Sequence, residues 1–135
     1  MGDTRDEIVK FFKLVVNPAL EGCGSDLEGR GWTTDKLQIP DPENPVSWVN
    51  GKLTSLIDAS KAEGETKVRF VYTIWVEGSG DDYNISHQMD QYKGSEIKNR
   101  ADSYDISNAT QDSFCKEIRT FYKIVEAQPA ERAWK

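Results

Sequence analysis

TKVRFVYTIWVE, residues 66–77, decides the fold of this chain. Its apolar side chains recur at every second position, which is the period of a β-strand. One face carries Val68, Phe70, Tyr72, Ile74 and Val76, and the other carries Val71, Thr73 and Trp75. Because strands that are apolar on both faces are typically covered on both, the pattern predicts a strand near the middle of a sheet.

A polar turn and a second strand follow this segment. GSGDD, residues 78–82, is rich in turn-forming residues, and the alternation that follows places Tyr83, Ile85, His87 and Met89 on one face. The two strands are therefore predicted to form a hairpin. Residues 90–102 fit two alternatives: a turn at Lys93-Gly94 with a third strand through Ile106, or a short helix before a strand at 103–107.

Helices are predicted at both ends of the chain. Thr4 and Glu7 form a capping box, and a helical stripe follows at Ile8, Phe11, Phe12, Val15 and Val16. Asn17-Pro18 is predicted to end or kink this helix, because the residue before a proline avoids the helical region. The last helix is predicted from a second stripe at Phe114, Ile118, Phe121, Tyr122 and Val125.

Residues 21–43 contain four glycines and two prolines, and they predict a long loop. The alternative is a short edge strand over Gly31–Ile39 that turns Trp32, Leu37 and Ile39 inward, with Trp32 as an anchor on the core.

In residues 44–63 two patterns conflict. Asn50-Gly51 favours a tight hairpin, whereas Asn44-Pro45 is typical of a helix start. A five-membered stripe then follows the helical period: Val46, Val49, Leu53, Leu56 and Ile57. Since five matches outweigh one dipeptide, we predict a helix here. The order of elements indicates an α+β fold: an antiparallel sheet of three to five strands, with N- and C-terminal helices packed against it, in a single domain over 1–135.

The composition argues against several classes of function. A net charge of −6 disfavours binding to nucleic acid or to anionic lipid, which both attract a basic surface. No apolar run approaches the roughly 18 residues of a membrane span, and the acidic N-terminus lacks the basic region of a signal peptide, so we expect a cytoplasmic protein. Cys23 and Cys115 are compatible with one disulfide, although two reduced thiols fit an intracellular chain better.

No catalytic, metal or cofactor motif rises above background. Ser86 and His87 leave opposite faces of a strand and cannot act as a pair, so we expect His87 to be partly buried. Glu77, Asp81 and Asp82 cluster at the hairpin but lack the register of a calcium loop. Two distant cysteines and one histidine do not make a zinc site. We therefore predict no catalytic residue, no metal site and no cofactor.

SYDISNATQDSFCKEIRTF, residues 103–121, resembles the last strand and helix of the actin-depolymerising-factor homology fold. In that family a strand ends in a hydrophobic–acidic–hydrophobic triplet and a capped helix follows. The similarity spans about twenty of the 135 residues, and the basic actin-contacting helix of the family has no match around residues 93–100. The resemblance implies an actin-regulating module as one candidate function.

The leading hypothesis is a non-catalytic binding module for a basic protein partner, such as an inhibitor or immunity-type protein. Residues 77–112 contain eight acids against three bases, which favours an acidic surface. The predicted binding residues are Trp32, Glu77, Asp81, Asp82, Tyr83, His87 and Asp90. The alternative is a small-molecule binder or enzyme with a pocket lined by Tyr72, Trp75, Tyr83, His87 and Tyr104. A homodimer through an exposed edge strand is a further prediction.

Overall fold

The computed structural model describes the backbone of residues 4–49, 51–63, 66–79, 82–93, 96–106 and 109–127. Its side chains are described except at 63, 66–67, 79, 93, 96–100 and 121–127. The elements run in the order α1 (Arg5–Phe11), a π-helical turn (Phe12–Val16), α2 (Asn17–Gly29), β1 (Thr33–Gln38), a 3-10 turn (Pro45–Ser47), β2 (Lys52–Glu63), β3 (Thr66–Ser79), β4 (Asp82–Lys93), β5 (Glu96–Ser103) and α3 (Gln111–Ala127).

The five strands form one antiparallel sheet in sequence order, and helices precede and follow it. The predicted α+β class is therefore confirmed. β3 lies at the centre of the sheet and pairs along its whole length with β2 and β4, for instance Ile74 with Ser55 and with His87.

Coverage of β3 on both faces was a wrong prediction. Val68, Phe70, Tyr72, Ile74 and Val76 are buried, with the helices packed on their side. Val71, Thr73 and Trp75 are only half-buried. Their cross-strand neighbours are mostly polar, as Asp58 and Asp90 are beside Val71, and this polarity suits a face turned to water.

The predicted helix over 44–63 is wrong, and most of this segment is β2. Asn44 does cap a helical start, since its side chain accepts a hydrogen bond from Val46 N, but only one 3-10 turn follows. Gly51 has a φ of +73°, as a tight turn requires, and Val49 bridges to Lys52. Beyond it Leu53, Ser55, Ile57 and Ala59 are buried at a period of two. The hairpin dipeptide was the correct signal.

The N-terminal helix begins as predicted, with Thr4 Oγ1 accepting from Glu7 N at 3.4 Å. Of the two predicted effects of Asn17-Pro18, an end of the helix is wrong, and a distortion of the helix is found just before the proline. The π-helical turn takes up the distortion of the missing proline N–H, and α2 continues to Gly29. A long loop from residue 21 was therefore wrong. The glycines of this segment favoured a loop, although its apolar residues form a fully buried helical stripe: Ala19, Leu20, Cys23 and Leu27.

For β1 and for β5, the structure matches one of the two alternatives predicted from the sequence. β1 forms the predicted edge strand and Trp32 is buried, but Leu37 keeps 40% of its surface exposed. β5 pairs with β4, so the alternative with a third strand after Lys93 holds, although that strand ends at Ser103. Its turn at Gly94 lies outside the described residues.

The last helix begins at a reciprocal cap between Thr110 and Ser113. Phe114 and Ile118 are fully buried against the core, as their stripe predicts. The side chains of Phe121, Tyr122 and Val125 lie outside the description.

Candidate interaction surface

The sheet has two faces of different character. The helix face is packed by the helices, as the Tyr72–Phe114 ring contact and the hydrogen bond between Ser55 and Asn17 show. We call the opposite side the open face and define it by the following residues: Thr54, Leu56, Asp58, Val71, Thr73, Trp75, Glu77, Asp82, Asn84, Ser86, Gln88 and Asp90. All of these side chains are half-buried or exposed.

Trp75 is held in place on the open face by its neighbours. Its indole Nε1 donates a hydrogen bond of 3.1 Å to Glu77 Oε1. Lys52 Nζ lies 3.3 Å from the same carboxylate oxygen and 5.4 Å from the centre of the indole ring. Because exposed ion pairs add little stability, the main effect of this triad is to orient the indole.

A shallow depression lies beside Trp75, where β1, β2 and β3 meet the 3-10 turn. It has a volume of about 480 Å³ and is lined by Gln38, Ser47, Val49, Lys52, Thr54 and Glu77. Val49 is 65% exposed at its rim, and Val46, in the preceding 3-10 turn, is 80% exposed. We call Gln38, Val49, Lys52, Thr54, Trp75 and Glu77 the Trp75 patch.

The opposite end of the open face is closed by an ion pair. Arg69 makes two hydrogen bonds to Asp58, of 2.8 and 2.7 Å, and its guanidinium stacks 4.8 Å from the centre of the Tyr92 ring. The hydrogen bond to Asp58 raises the pKa of Arg69 further above its usual value. At this end of the open face the charges of Arg69 and Asp58 therefore neutralise each other, whereas the Trp75 patch exposes apolar surface.

The structure does not bring the predicted binding residues together. Glu77, Asp82 and Asp90 lie on the open face, but Asp90 pairs with Val71, six residues from Glu77, or about 20 Å along the strand. Tyr83 and His87 lie on the helix face. Trp32 is buried before β1, and Asp81 lies outside the described residues.

Trp32 and Tyr83 are packed as core side chains. The Trp32 ring meets Phe70 edge to face, with 5.2 Å between ring centres, and Tyr83 meets Trp48 at 5.5 Å. Trp32 is 4% exposed and Tyr83 is 5% exposed, so neither presents a ring to a partner.

His87 belongs to a buried polar cluster between the sheet and α3. Its Nδ1 lies 3.0 Å from the Tyr72 hydroxyl and 3.9 Å from Glu117 Oε1, and Tyr104 packs on its ring. Burial, with a smaller effect from Glu117, raises the pKa of Tyr72 well above its usual value and that of Tyr104 to about 12. Both phenols therefore stay protonated at neutral pH. The cluster joins α3 to β4 and leaves His87 only 9% exposed, in agreement with the expected partly buried histidine.

Among the side chains that the structure describes, no three His, Cys, Asp or Glu residues are grouped as a metal ion would need. Nor is any described helix both long enough and apolar enough to cross a bilayer.

Lys52 and Val49 are not among the binding residues predicted from the sequence, and Trp75 was named only in the small-molecule alternative. The helical stripe predicted for residues 44–63 included Val49, which is exposed in the structure. Two signals pointed to the correct placement: the Asn50-Gly51 dipeptide, and the period-two pattern of small and apolar residues from Leu53 to Ala59. A comparison of the chain with known protein families, with curated proteins and with solved structures finds no match.

Proposed function

We propose that this protein is a non-catalytic protein-binding module that meets a basic partner through the Trp75 patch. The observation that carries the proposal is an oriented tryptophan beside exposed aliphatic side chains, on a sheet face that the described helices leave uncovered. Tryptophan anchors of this kind are over-represented among the residues that dominate interface energies.

The charge of the chain supports a basic partner. The net charge is −6, and Glu77 and Asp82 lie on the same face as Trp75, on adjacent strands near the β3–β4 turn. Complementary charges raise the association rate, and salt screens this effect. An inhibitor or immunity-type protein that neutralises a basic enzyme would have these properties.

The arrangement does not favour the small-molecule alternative. Of its proposed lining residues, Trp75 lies on the open face, whereas Tyr72, Tyr83 and His87 lie on the helix face. Tyr72 is fully buried and its hydroxyl bonds to His87, so the residues of that hypothesis do not share one cavity.

The test is capture of the tagged full chain from its native lysate at low and high salt, followed by titration of the purified partner. We expect a basic protein in stoichiometric yield that is lost at high salt. Trp75→Ala should weaken the affinity by about 30-fold or more, which is the effect of a central interface residue. Glu77→Gln should reduce both the association rate and its dependence on salt.

A matched pair of variants separates this patch from a general effect of charge. Val49→Lys adds a cation at the rim of the depression, and Leu14→Lys adds one at a similarly exposed aliphatic residue, 57% against 65%, on the N-terminal helical segment. We expect only Val49→Lys to weaken binding, with both variants keeping the thermal midpoint of the parent. Equal affinity of the two variants for the partner would show that the Trp75 patch is not the interface. Recovery of actin instead of a basic protein would favour the actin-regulating alternative.

A further inference from the structure

Two cysteines from distant parts of the chain meet inside the helical layer. Cys23 of α2 is fully buried and Cys115 of α3 is 8% exposed, and neither takes part in a disulfide. Both side chains belong to the buried core, α2 packs directly on α3, and Cys115 lies close enough to Cys23 to raise its pKa. No role in the core requires a thiol at both positions, since alanine or valine also fills such a site.

The two thiols differ in their surroundings. Burial, the largest cause, raises the pKa of Cys23 to about 12, and the neighbouring Cys115 adds to the shift, so Cys23 remains protonated at neutral pH. Cys115 retains some contact with solvent, whereas Cys23 has none. Cys115 is therefore the residue that a reagent from solvent meets first, and Cys23 lies in the core on the neighbouring helix.

We propose that Cys23 and Cys115 are an oxidisable pair, which a hydroperoxide converts into an intramolecular disulfide that joins α2 to α3. The Cys115 thiol gives up its proton and its sulfur attacks one peroxide oxygen; the O–O bond breaks, a sulfenic acid forms, and the departing hydroxide takes up that proton to give one water. The Cys23 thiol then displaces the sulfenic hydroxyl, which leaves as a second water while the S–S bond forms. The two thiols together lose two electrons and two protons, and hydrogen peroxide is reduced to two molecules of water.

The disulfide would link α3 covalently to α2. α3 otherwise contacts the rest of the protein through buried side chains such as Phe114 and Ile118 and through Glu117 beside His87. A covalent bond between α2 and α3 closes a long loop of chain and lowers the conformational entropy of the unfolded state, which stabilises the folded protein. The Trp75 patch lies on the opposite side of the sheet, so this inference does not depend on the proposed function.

The test treats the reduced, folded full chain with hydrogen peroxide, blocks the remaining thiols and analyses the protein by mass spectrometry without reduction. We expect a monomer that has lost two hydrogen masses and yields one cross-linked peptide containing Cys23 and Cys115. Its thermal midpoint should rise by about 8 °C, as a disulfide of ordinary strength would give, and dithiothreitol should reverse the rise.

Single variants test the assigned order of reaction. Cys23→Ala should leave a sulfenic acid on Cys115 that dimedone traps, whereas Cys115→Ala should show little reaction of Cys23. The proposal is overturned if the parent protein gives sulfinic acid at Cys115 without the cross-link, disulfide-linked dimers, or oxidation only after denaturant is added. The parent protein alone distinguishes these results, so a variant that fails to fold would not affect the conclusion.

Discussion

The hydrogen bond between the Tyr72 hydroxyl and His87 Nδ1 should contribute measurably to the free energy of unfolding. The two atoms are 3.0 Å apart, and Tyr72 is fully buried. Tyr72→Phe removes the hydroxyl, keeps the ring and leaves Nδ1 without this partner. A hydrogen bond lost in this way costs about 1–2 kcal/mol. In a protein of this size that corresponds to a fall of about 4–8 °C in the thermal midpoint.

A double-mutant cycle isolates the bond from the ring packing around it. We would measure urea unfolding at pH 8 for the parent, Tyr72→Phe, His87→Leu and the double variant. Once either partner is missing, the second substitution has no bond to remove. The double variant should therefore be more stable than the sum of the single effects by about 1 kcal/mol.

A control and a refuting result follow from the same structure. Tyr83→Phe keeps the ring contact with Trp48, and no hydrogen bond of the Tyr83 hydroxyl is described, so its effect should stay within about 0.5 kcal/mol. If the effects of Tyr72→Phe and His87→Leu add to within about 0.3–0.5 kcal/mol, the bond contributes nothing to stability. The Tyr72–His87 bond would then not be what makes the polar cluster stabilising.

Three other predictions concern stability in urea. Leu53→Ala should cost about 3 kcal/mol because the side chain is fully buried, whereas Val46→Ala, at an 80% exposed position, should cost less than about 0.5 kcal/mol; equal costs would contradict the assignment of β2. Gly78→Ala should cost more than about 2 kcal/mol, because φ is +152° and a Cβ would overlap the backbone of β4. Gly22→Ala should stabilise α2 by about 0.5–1 kcal/mol, because a Cβ at this position would have no atom within 4 Å. The pKa of Cys23 is about 12 in the folded protein against 9.0 for a free thiol, so the unfolded chain releases this proton first. The free energy of unfolding should therefore fall as pH rises from about 9 towards 12, by about 2 kcal/mol at pH 10.5. Cys23→Ala should flatten this pH dependence, and an unchanged slope would refute the prediction.

The sequence predicted those elements whose pattern and local signals agree. The alternation from Val68 to Val76 and the turn after it predicted the central hairpin, and the Thr4 cap predicted the start of the first helix. The errors fell where two local rules compete. At residues 44–63 a helical start is real but lasts one turn, and the remainder pairs with β3, for instance Leu53 with Val76, as the Asn50-Gly51 dipeptide favoured.

The Trp75 patch could not be predicted because exposure of a sheet face is a property of the whole fold. Trp75 alternates with buried residues whether or not a second layer covers its face. The helices that the structure describes lie on one side of β3, and this follows from where α2 and α3 pack, which no pattern within residues 66–77 contains. The meeting of Cys23 and Cys115 is equally a product of helix packing.

The order of elements has a consequence for synthesis of the protein. The sheet is built from one continuous run of neighbouring strands, β1 to β5, whereas the helices that cover it come from both sides of that run. While the ribosome has yet to release α3, the sheet is complete but Tyr72 and His87 lack Phe114 and Glu117 above them. A nascent chain at this stage exposes the part of the apolar sheet face that α3 later covers, which is the condition that favours aggregation. Its safe folding in the cell therefore depends on how soon the last helix docks.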